Sequence, residues 1–157
     1  MTRTRMILIA AGGSAAMLIG AWAFQHLGGL APCKMCIWQR WPHGIAALLG
    51  PTAVFAGGIL ALALPLLGAA AALTTAGIGV YHTGVERDWW QGPASCTSAP
   101  IEGLTPQELL AQITAAPVVQ CDQVAWAMFG LSMASWNALI SLFLAAIWIA
   151  VAMKSGP

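Results

Sequence analysis

The chain has 157 residues, of which 59% are hydrophobic and 7% are charged. A soluble domain carries about 25% charged residues, so six basic and five acidic side chains cannot cover a water-soluble globule of this size. The composition therefore excludes an ordinary cytosolic enzyme and a disordered chain. A net charge of +1 supplies no positive field for nucleic acid. An integral membrane protein embedded in a lipid bilayer remains.

Long uncharged runs predict four membrane spans. A helix needs about 20 residues to cross a hydrocarbon core of ~30 Å. The uncharged run over residues 41–85 would form a helix of roughly 67 Å, about twice that thickness, so it should contain two helices. We expect the break at Pro65. The predicted spans are about 6–27, 42–64, 66–83 and 136–153.

The last span has an apolar approach segment over residues 124–134, interrupted by Gly130. We interpret this segment as interfacial, lying at the edge of the membrane. The competing interpretation is one continuous helix from 124 to 153.

A short helix is predicted in the long polar segment between the third and fourth spans. Thr105, Pro106 and Glu108 form a capping box, with threonine at the N-cap, proline at the first helical position and glutamate at the third. Pro117 should end this helix. Its apolar stripe consists of Leu109, Leu110 and Ile113. We expect an amphipathic loop helix that rests on the bilayer.

Charge does not decide which side the loops face. Four spans place both termini on one side and the loops over about 28–41 and 84–135 on the other. Three basic residues flank the termini and three lie in the loops, which is a tie under the positive-inside rule. All but one of the 8 tryptophans lie near the loop side. Residues 1–23 also resemble a signal peptide, but their apolar run is longer than usual, and we expect a span.

Four cysteines lie in the two loops, at Cys33, Cys36, Cys96 and Cys121. The C-x-x-C pair does not fit haem attachment, because Ile37 stands where a histidine is required. A four-cysteine zinc site normally has two close pairs, whereas the second pair here is widely spaced. A structural disulfide and a redox pair remain.

Physical chemistry favours the redox pair. Residues three apart on a helix have Cβ atoms about 5–6 Å apart, whereas a disulfide prefers about 3.8 Å, so the ring would be strained and oxidising. With Pro32 at the first helical position, the pair would open the second helix, where thiolates are stabilised. Arg40 follows Cys36 by one turn and would favour a thiolate there. A disulfide between Cys96 and Cys121 would close a large loop and could be only structural.

Several segments together resemble a known family. They are Phe24-Gln25-His26, Pro32-Cys33-Lys34-Met35-Cys36-Ile37-Trp38-Gln39-Arg40, Cys121-Asp122, Trp126, Phe129-Gly130-Leu131-Ser132-Met133 and Trp136-Asn137. With four spans and a cysteine pair in each of the two loops, the chain resembles the disulfide bond formation protein B (DsbB) family of bacterial inner-membrane thiol oxidases.

The resemblance implies an all-α fold: an integral membrane four-helix bundle with a long periplasmic loop that carries a short amphipathic helix. Both termini would be cytoplasmic. Cys33 and Cys36 would be coupled to a membrane quinone, either ubiquinone or menaquinone, with Cys36 nearest the ring and Arg40 polarising it. Cys96 and Cys121 would face a thioredoxin-fold, DsbA-like periplasmic oxidase, and Cys96 would carry the mixed disulfide. No metal is implied.

Two further positions stand out against the family pattern. Some members carry glutamate before the arginine, whereas this chain has Gln39, which argues against an acid at that position. His82 lies near the outer end of the third span and could approach the quinone. A buried histidine with satisfied hydrogen bonds is the simpler interpretation of His82, as of His26 and His43.

Three other functions remain open at this point. A metal-binding or transport protein could use the 4 cysteines, 7 methionines and 3 histidines, although polar residues for an ion path are nearly absent from the spans. A quinone-reducing enzyme of the vitamin K epoxide reductase type would carry its C-x-x-C in a late helix, and the fourth span has no cysteine. A structural membrane protein with two disulfides is the third.

Overall fold

The structure is a computed structural model that describes residues 1–94, 96, 103–115 and 119–154. Its helices are α1 (Arg3–His26), α2 (Lys34–Phe55), α3 (Ile59–Glu86), α4 (Pro106–Ala115) and α5 (Met133–Met153). Two short strands, β1 (Ala127–Met128) and β2 (Leu131–Ser132), pair antiparallel just before α5. The expected all-α fold is confirmed.

The four long helices form a bundle in which consecutive helices pack side by side and the first and last close the ring. α3 packs between α2 and α5, and α1 packs against the same two helices from the other side. Among the described residues, α1, α3 and α5 are long and apolar enough to cross a membrane, so this is a membrane protein. The polar and charged side chains in the first half of α2 lower its hydropathy. The count of four spans therefore stays a prediction.

Small residues allow the helices to approach closely, as is typical of membrane bundles. A Cβ atom on Gly50 would collide with the Cβ of Ala11, so the absence of a side chain at Gly50 lets α1 and α2 approach closely. A Cβ on Gly68 would lie 2.6 Å from the indole of Trp148, which is 0% exposed. The core around Trp148 contains no charged residue among its buried members. This half of the bundle, the closed end, is therefore held together mainly by apolar packing.

The predicted break at Pro65 is wrong, because Pro65 lies inside α3 and the chain reverses at residues 56–58. Gly58 supplies the reversal with its positive φ of 57°. A proline at 65 leaves the carbonyl of Ala61 without its helical donor. Arg3 fills that position, since its Nη2 donates to Ala61 O at 3.1 Å and its Nη1 to Ala53 O at 3.1 Å. A guanidinium from α1 thus permits the proline in α3.

The segment before α5 is not a continuous helix. Residues 127–132 form the β1–β2 hairpin, in which Phe129 and Gly130 have positive φ angles, and α5 begins only at Met133. The capping box is confirmed: Thr105 N donates to Glu108 Oε2 at 2.8 Å, and Glu108 N donates to Thr105 Oγ1 at 3.4 Å. The predicted stop at Pro117 lies outside the described residues.

Candidate functional site

The four cysteines meet at the end of the bundle where α2 begins and α3 ends. Cys33 is the N-cap of α2, and its Sγ accepts a hydrogen bond from Cys36 N at 3.3 Å. The expectation that the pair opens the second helix is therefore confirmed. Pro32 lies before the cap rather than at the first helical position, because the cysteine itself satisfies the free amide. Cys33 and Cys36 are free thiols with their sulfurs 3.0 Å apart.

Neighbouring groups lower the pKa of Cys33. Its side-chain bond with Cys36 lowers the pKa of Cys33 well below the ordinary value; burial opposes this shift, and His82 adds to it. His82 Nε2 lies 3.6 Å from Cys33 Sγ. The expected thiolate at Cys36 stays a prediction, because the two sulfurs are hydrogen-bonded to each other while Cys33 also faces the histidine.

The second pair, Cys96 and Cys121, forms a disulfide with Cα atoms 5.3 Å apart. Both residues are 0% exposed, and Cys121 N donates to Cys96 O at 2.7 Å. The sulfurs of Cys33 and Cys121 and a ring nitrogen of His82 all lie within 4.8 Å of one another. The loop between α3 and α5 therefore brings the second cysteine pair onto the first, with His82 beside both.

His82 also connects this sulfur cluster to an acidic group. Glu86 Oε1 lies 3.9 Å from His82 Nε2, and Ser132 Oγ donates to the other oxygen of the same carboxylate. Glu86 was not a candidate from the sequence. The spacing of His82 and Glu86, four residues on one helix, is the signal that places both on one face.

A buried polar network extends from His82 into the bundle. Gln39 Nε2 lies 3.0 Å from His82 Nδ1, and Gln39 Oε1 accepts from Asn137 Nδ2 at 2.6 Å. Asn137 Oδ1 lies 2.8 Å from His43 Nε2. Sequence reasoning missed Asn137 and gave Gln39 no role, because the network joins residues of α2, α3 and α5 that no local pattern relates. His43 is buried as expected, but only its Nε2 has a hydrogen-bond partner, whereas His82 faces the reactive sulfur.

A cavity of about 630 Å³ opens beside the cysteines. Such a volume is typical of small-molecule sites. Its lining is mainly apolar, from α1, α5 and the segment before α5, and its polar lining includes Cys36, Arg40 and Gln39. Arg40 Nη1 donates to Gln25 Oε1 at 2.7 Å, so α1 holds the guanidinium in this wall. Arg40 and Cys36 thus share the cavity, as the helical spacing predicts.

Three soft ligands, Cys33, His82 and Cys121, lie close enough to hold a metal ion. The Cys121 sulfur is bonded to Cys96 in this state, however, and a metal ligand would have to be a thiolate. The arrangement is that of two sulfur couples in position to exchange, one oxidised and one reduced.

Comparisons with known proteins identify the family of this chain. Residues 3–151 match the family model described as "Disulfide bond formation protein DsbB". A "Disulfide bond formation protein B" of Stutzerimonas stutzeri is 30% identical over 91% of this chain and 91% of its own. That of Pasteurella multocida is 31% identical over 92% and 85%, and that of Aromatoleum aromaticum is 33% identical over 84% and 82%. The chain therefore belongs to the DsbB family of disulfide bond formation proteins, membrane proteins with disulfide oxidoreductase activity.

Proposed function

We propose that this protein reoxidises a DsbA-like dithiol oxidase and passes the electrons through two cysteine pairs to a membrane quinone. The observation that carries the proposal is the approach of Cys33 and Cys121, which belong to different pairs yet have sulfurs within 4.8 Å. Overall, the partner's dithiol loses two electrons and two protons and becomes a disulfide, and the quinone gains both and becomes a quinol.

Exchange between the pairs begins once Cys96 and Cys121 are reduced and Cys33 and Cys36 are oxidised. The Cys121 thiolate attacks Cys33, a Cys33–Cys121 bond forms, and Cys36 leaves as a thiolate. The Cys96 thiolate then attacks Cys121, which restores the Cys96–Cys121 disulfide and releases Cys33. Two electrons have then moved from the Cys96–Cys121 pair to the Cys33–Cys36 pair. The structure has the cysteine states that this exchange produces: a Cys96–Cys121 disulfide and an inner dithiol.

The partner attacks the outer pair, the Cys96–Cys121 disulfide, at Cys96. The inner pair is Cys33 and Cys36. Both cysteines of the outer pair lie in the long loop between α3 and α5, and it is the Cys121 sulfur that lies close to Cys33 and His82. Attack at Cys96 therefore releases the sulfur that already faces the inner pair. Since Cys96 is 0% exposed, it has to become accessible before the partner can attack it.

The cavity beside Cys36 fits a membrane quinone, either ubiquinone or menaquinone. Its apolar walls suit a lipid-soluble ring, and Arg40 provides donors for a carbonyl oxygen. When bound, the quinone supplies a two-electron acceptor. The chain holds Cys36 in the cavity wall and fixes the Arg40 guanidinium there through Gln25.

We place the protein in a bacterial inner membrane with its cysteines periplasmic and both termini cytoplasmic. Disulfides persist in the periplasm and are rare in the cytosol, which supports this orientation for the Cys96–Cys121 end. In a cysteine-free background, a membrane-impermeant maleimide should label Gln107→Cys on intact cells and leave Thr4→Cys unlabelled until lysis. The reverse pattern would overturn the orientation.

The relay is tested by separating its two halves. Cys96→Ser should abolish oxidation of a reduced DsbA-like partner, while added ubiquinone or menaquinone still oxidises Cys33 and Cys36. Gln107→Glu, a change on exposed α4, is the matched control and should keep full activity. Undiminished partner oxidation by Cys96→Ser would contradict the relay.

Contact between the pairs is tested by trapping. Cys36→Ser leaves Cys33 without its own partner, so its thiolate should attack Cys121 and a Cys33–Cys121 disulfide should accumulate. Peptide mass spectrometry without reduction detects that bond. Cys33→Ser should give no corresponding Cys36–Cys121 bond. Equal amounts of the two cross-links would show that Cys33 has no special access to Cys121.

A further inference from the structure

The buried network beside Cys33 has a fixed direction of hydrogen bonding. Gln39 Nε2 donates to the backbone carbonyl of Met35 at 3.2 Å, and Asn137 Nδ2 lies 3.4 Å from the carbonyl of Thr75. A carbonyl oxygen only accepts, so each amide must turn its nitrogen toward its carbonyl. These two backbone groups therefore settle the orientation of both side-chain amides.

The orientation of Gln39 determines what His82 can do. With its nitrogen toward Met35 O, Gln39 also presents an N–H to His82 Nδ1, at 3.0 Å. That ring nitrogen must then be the acceptor. A neutral imidazole carries one proton, so the proton lies on Nε2, which is 3.6 Å from Cys33 Sγ.

We propose that Gln39 is a positioning residue that holds His82 as the Nε2–H tautomer, so that the ring donates to the Cys33 thiolate and does not act as its base. This inference rests on the proposed function, because it assigns how the thiolate that exchanges with Cys121 is stabilised. Asn137 supports the same orientation by donating to Gln39 Oε1 at 2.6 Å.

The alternative orientation is costly. Turning the Gln39 amide over would point its oxygen at Met35 O and its nitrogen at the Asn137 nitrogen, which removes two hydrogen bonds in a buried site. The remaining neighbours of the His82 ring are Cys33, Glu86 and the backbone of Cys121. Cys33 Sγ lies 3.6 Å from Nε2 and can accept its proton, and the Glu86 carboxylate lies 3.9 Å from the same nitrogen.

The tautomer can be observed directly. Nitrogen-15 NMR of the histidine rings in detergent-solubilised protein, assigned by loss of a signal in His82→Ala, should show neutral His82 protonated at Nε2 and bare at Nδ1. A wild-type ring protonated at Nδ1 would overturn the inference without any variant. Because the spectrum needs neither quinone nor partner, its failure is distinct from a failure of the proposed function.

Gln39→Glu should change the tautomer of the His82 ring. A carboxylate only accepts, so His82 must place a proton on Nδ1 to meet it. Gln107→Glu, the same change on exposed α4, should leave the His82 signals unchanged. An unchanged Nδ1 signal in Gln39→Glu would show that Gln39 does not set the tautomer.

Gln39→Met tests the consequence for the sulfur. Methionine fills similar space without a donor, so His82 is free to adopt either tautomer. In a variant that keeps Cys33 as its only cysteine, the pH profile of iodoacetamide alkylation should shift upward by about one pH unit, a tenfold change in the proton equilibrium. An unshifted profile would overturn the role of Gln39 toward Cys33.

Discussion

The two ends of the bundle differ in how their interiors are packed. The closed end, around Ile7, Gly68 and Trp148, packs small and large apolar residues against one another. The reactive end, around Cys33, His82 and Cys121, combines buried polar groups, two sulfur pairs and an open cavity. Polar groups gathered at one end can be held in place only because the other end fixes the helices. The difference indicates that stability and chemistry are supplied by separate halves of the same helices.

Removing the anchor of the closed end should have the largest effect. Trp148→Ala leaves a cavity against Gly68 and should cost about 3–5 kcal/mol of unfolding free energy, measured by denaturation in detergent. Trp22→Ala, where the indole is 63% exposed, is the control and should cost far less. Below its unfolding temperature the Trp148 variant should keep wild-type alkylation of Cys33. Altered thiol chemistry in the folded variant would break the separation of the two ends.

A second prediction sharpens the account of the closed end, where Arg3 compensates for Pro65. Arg3→Met should cost about 1–3 kcal/mol because the Ala61 carbonyl is left without a donor. Pro65→Ala restores an amide to α3, so Arg3→Met should cost less in that background, as a double-mutant cycle of unfolding free energies would show. Arg5→Met, at an exposed position, is the control. If Arg3→Met lowers the unfolding free energy equally with and without Pro65→Ala, Arg3 does not compensate for the proline.

The smallest effect is expected at the reactive end, from pH. The pKa of Cys33 is lower in the folded protein than in the unfolded chain, so between the two values the unfolded chain binds more protons and stability rises with pH. The contribution is complete above the ordinary cysteine pKa and is lost as pH falls through the lowered one. Unfolding of the protein with a reduced inner pair should show a slope below about 1.4 kcal/mol per pH unit. Cys33→Ser should remove that slope, and an identical slope in both proteins would assign it elsewhere.

Local features of the sequence were sufficient for much of the fold. Uncharged runs located the long helices, and the Thr105–Glu108 capping box located α4, because both depend on residues close in the chain. The break predicted at Pro65 was wrong because that prediction also used only residues close in the chain. The effect of Pro65 on α3 is cancelled by Arg3, a residue of another helix that no local pattern connects to it.

The site was predictable only in part. Cysteine spacing and the resemblance to the family identified the four sulfurs, and helical periodicity placed Arg40 beside Cys36. The polar network was not predictable, because Gln39 and Asn137 become partners only when α2 and α5 pack against α3. Ordinary polar residues carry no chemical pattern by themselves, so their roles depend on tertiary neighbours.

The backbone hydrogen bond from Cys121 N to Cys96 O has a kinetic consequence. It crosses between the same two residues as the disulfide, so it retains their proximity after the sulfur bond opens. Reclosure is then intramolecular, at a high effective concentration of one thiol for the other. A small dissolved thiol can diffuse away each time the Cys96–Cys121 bond recloses. A docked protein thiol stays beside Cys96 and can attack again.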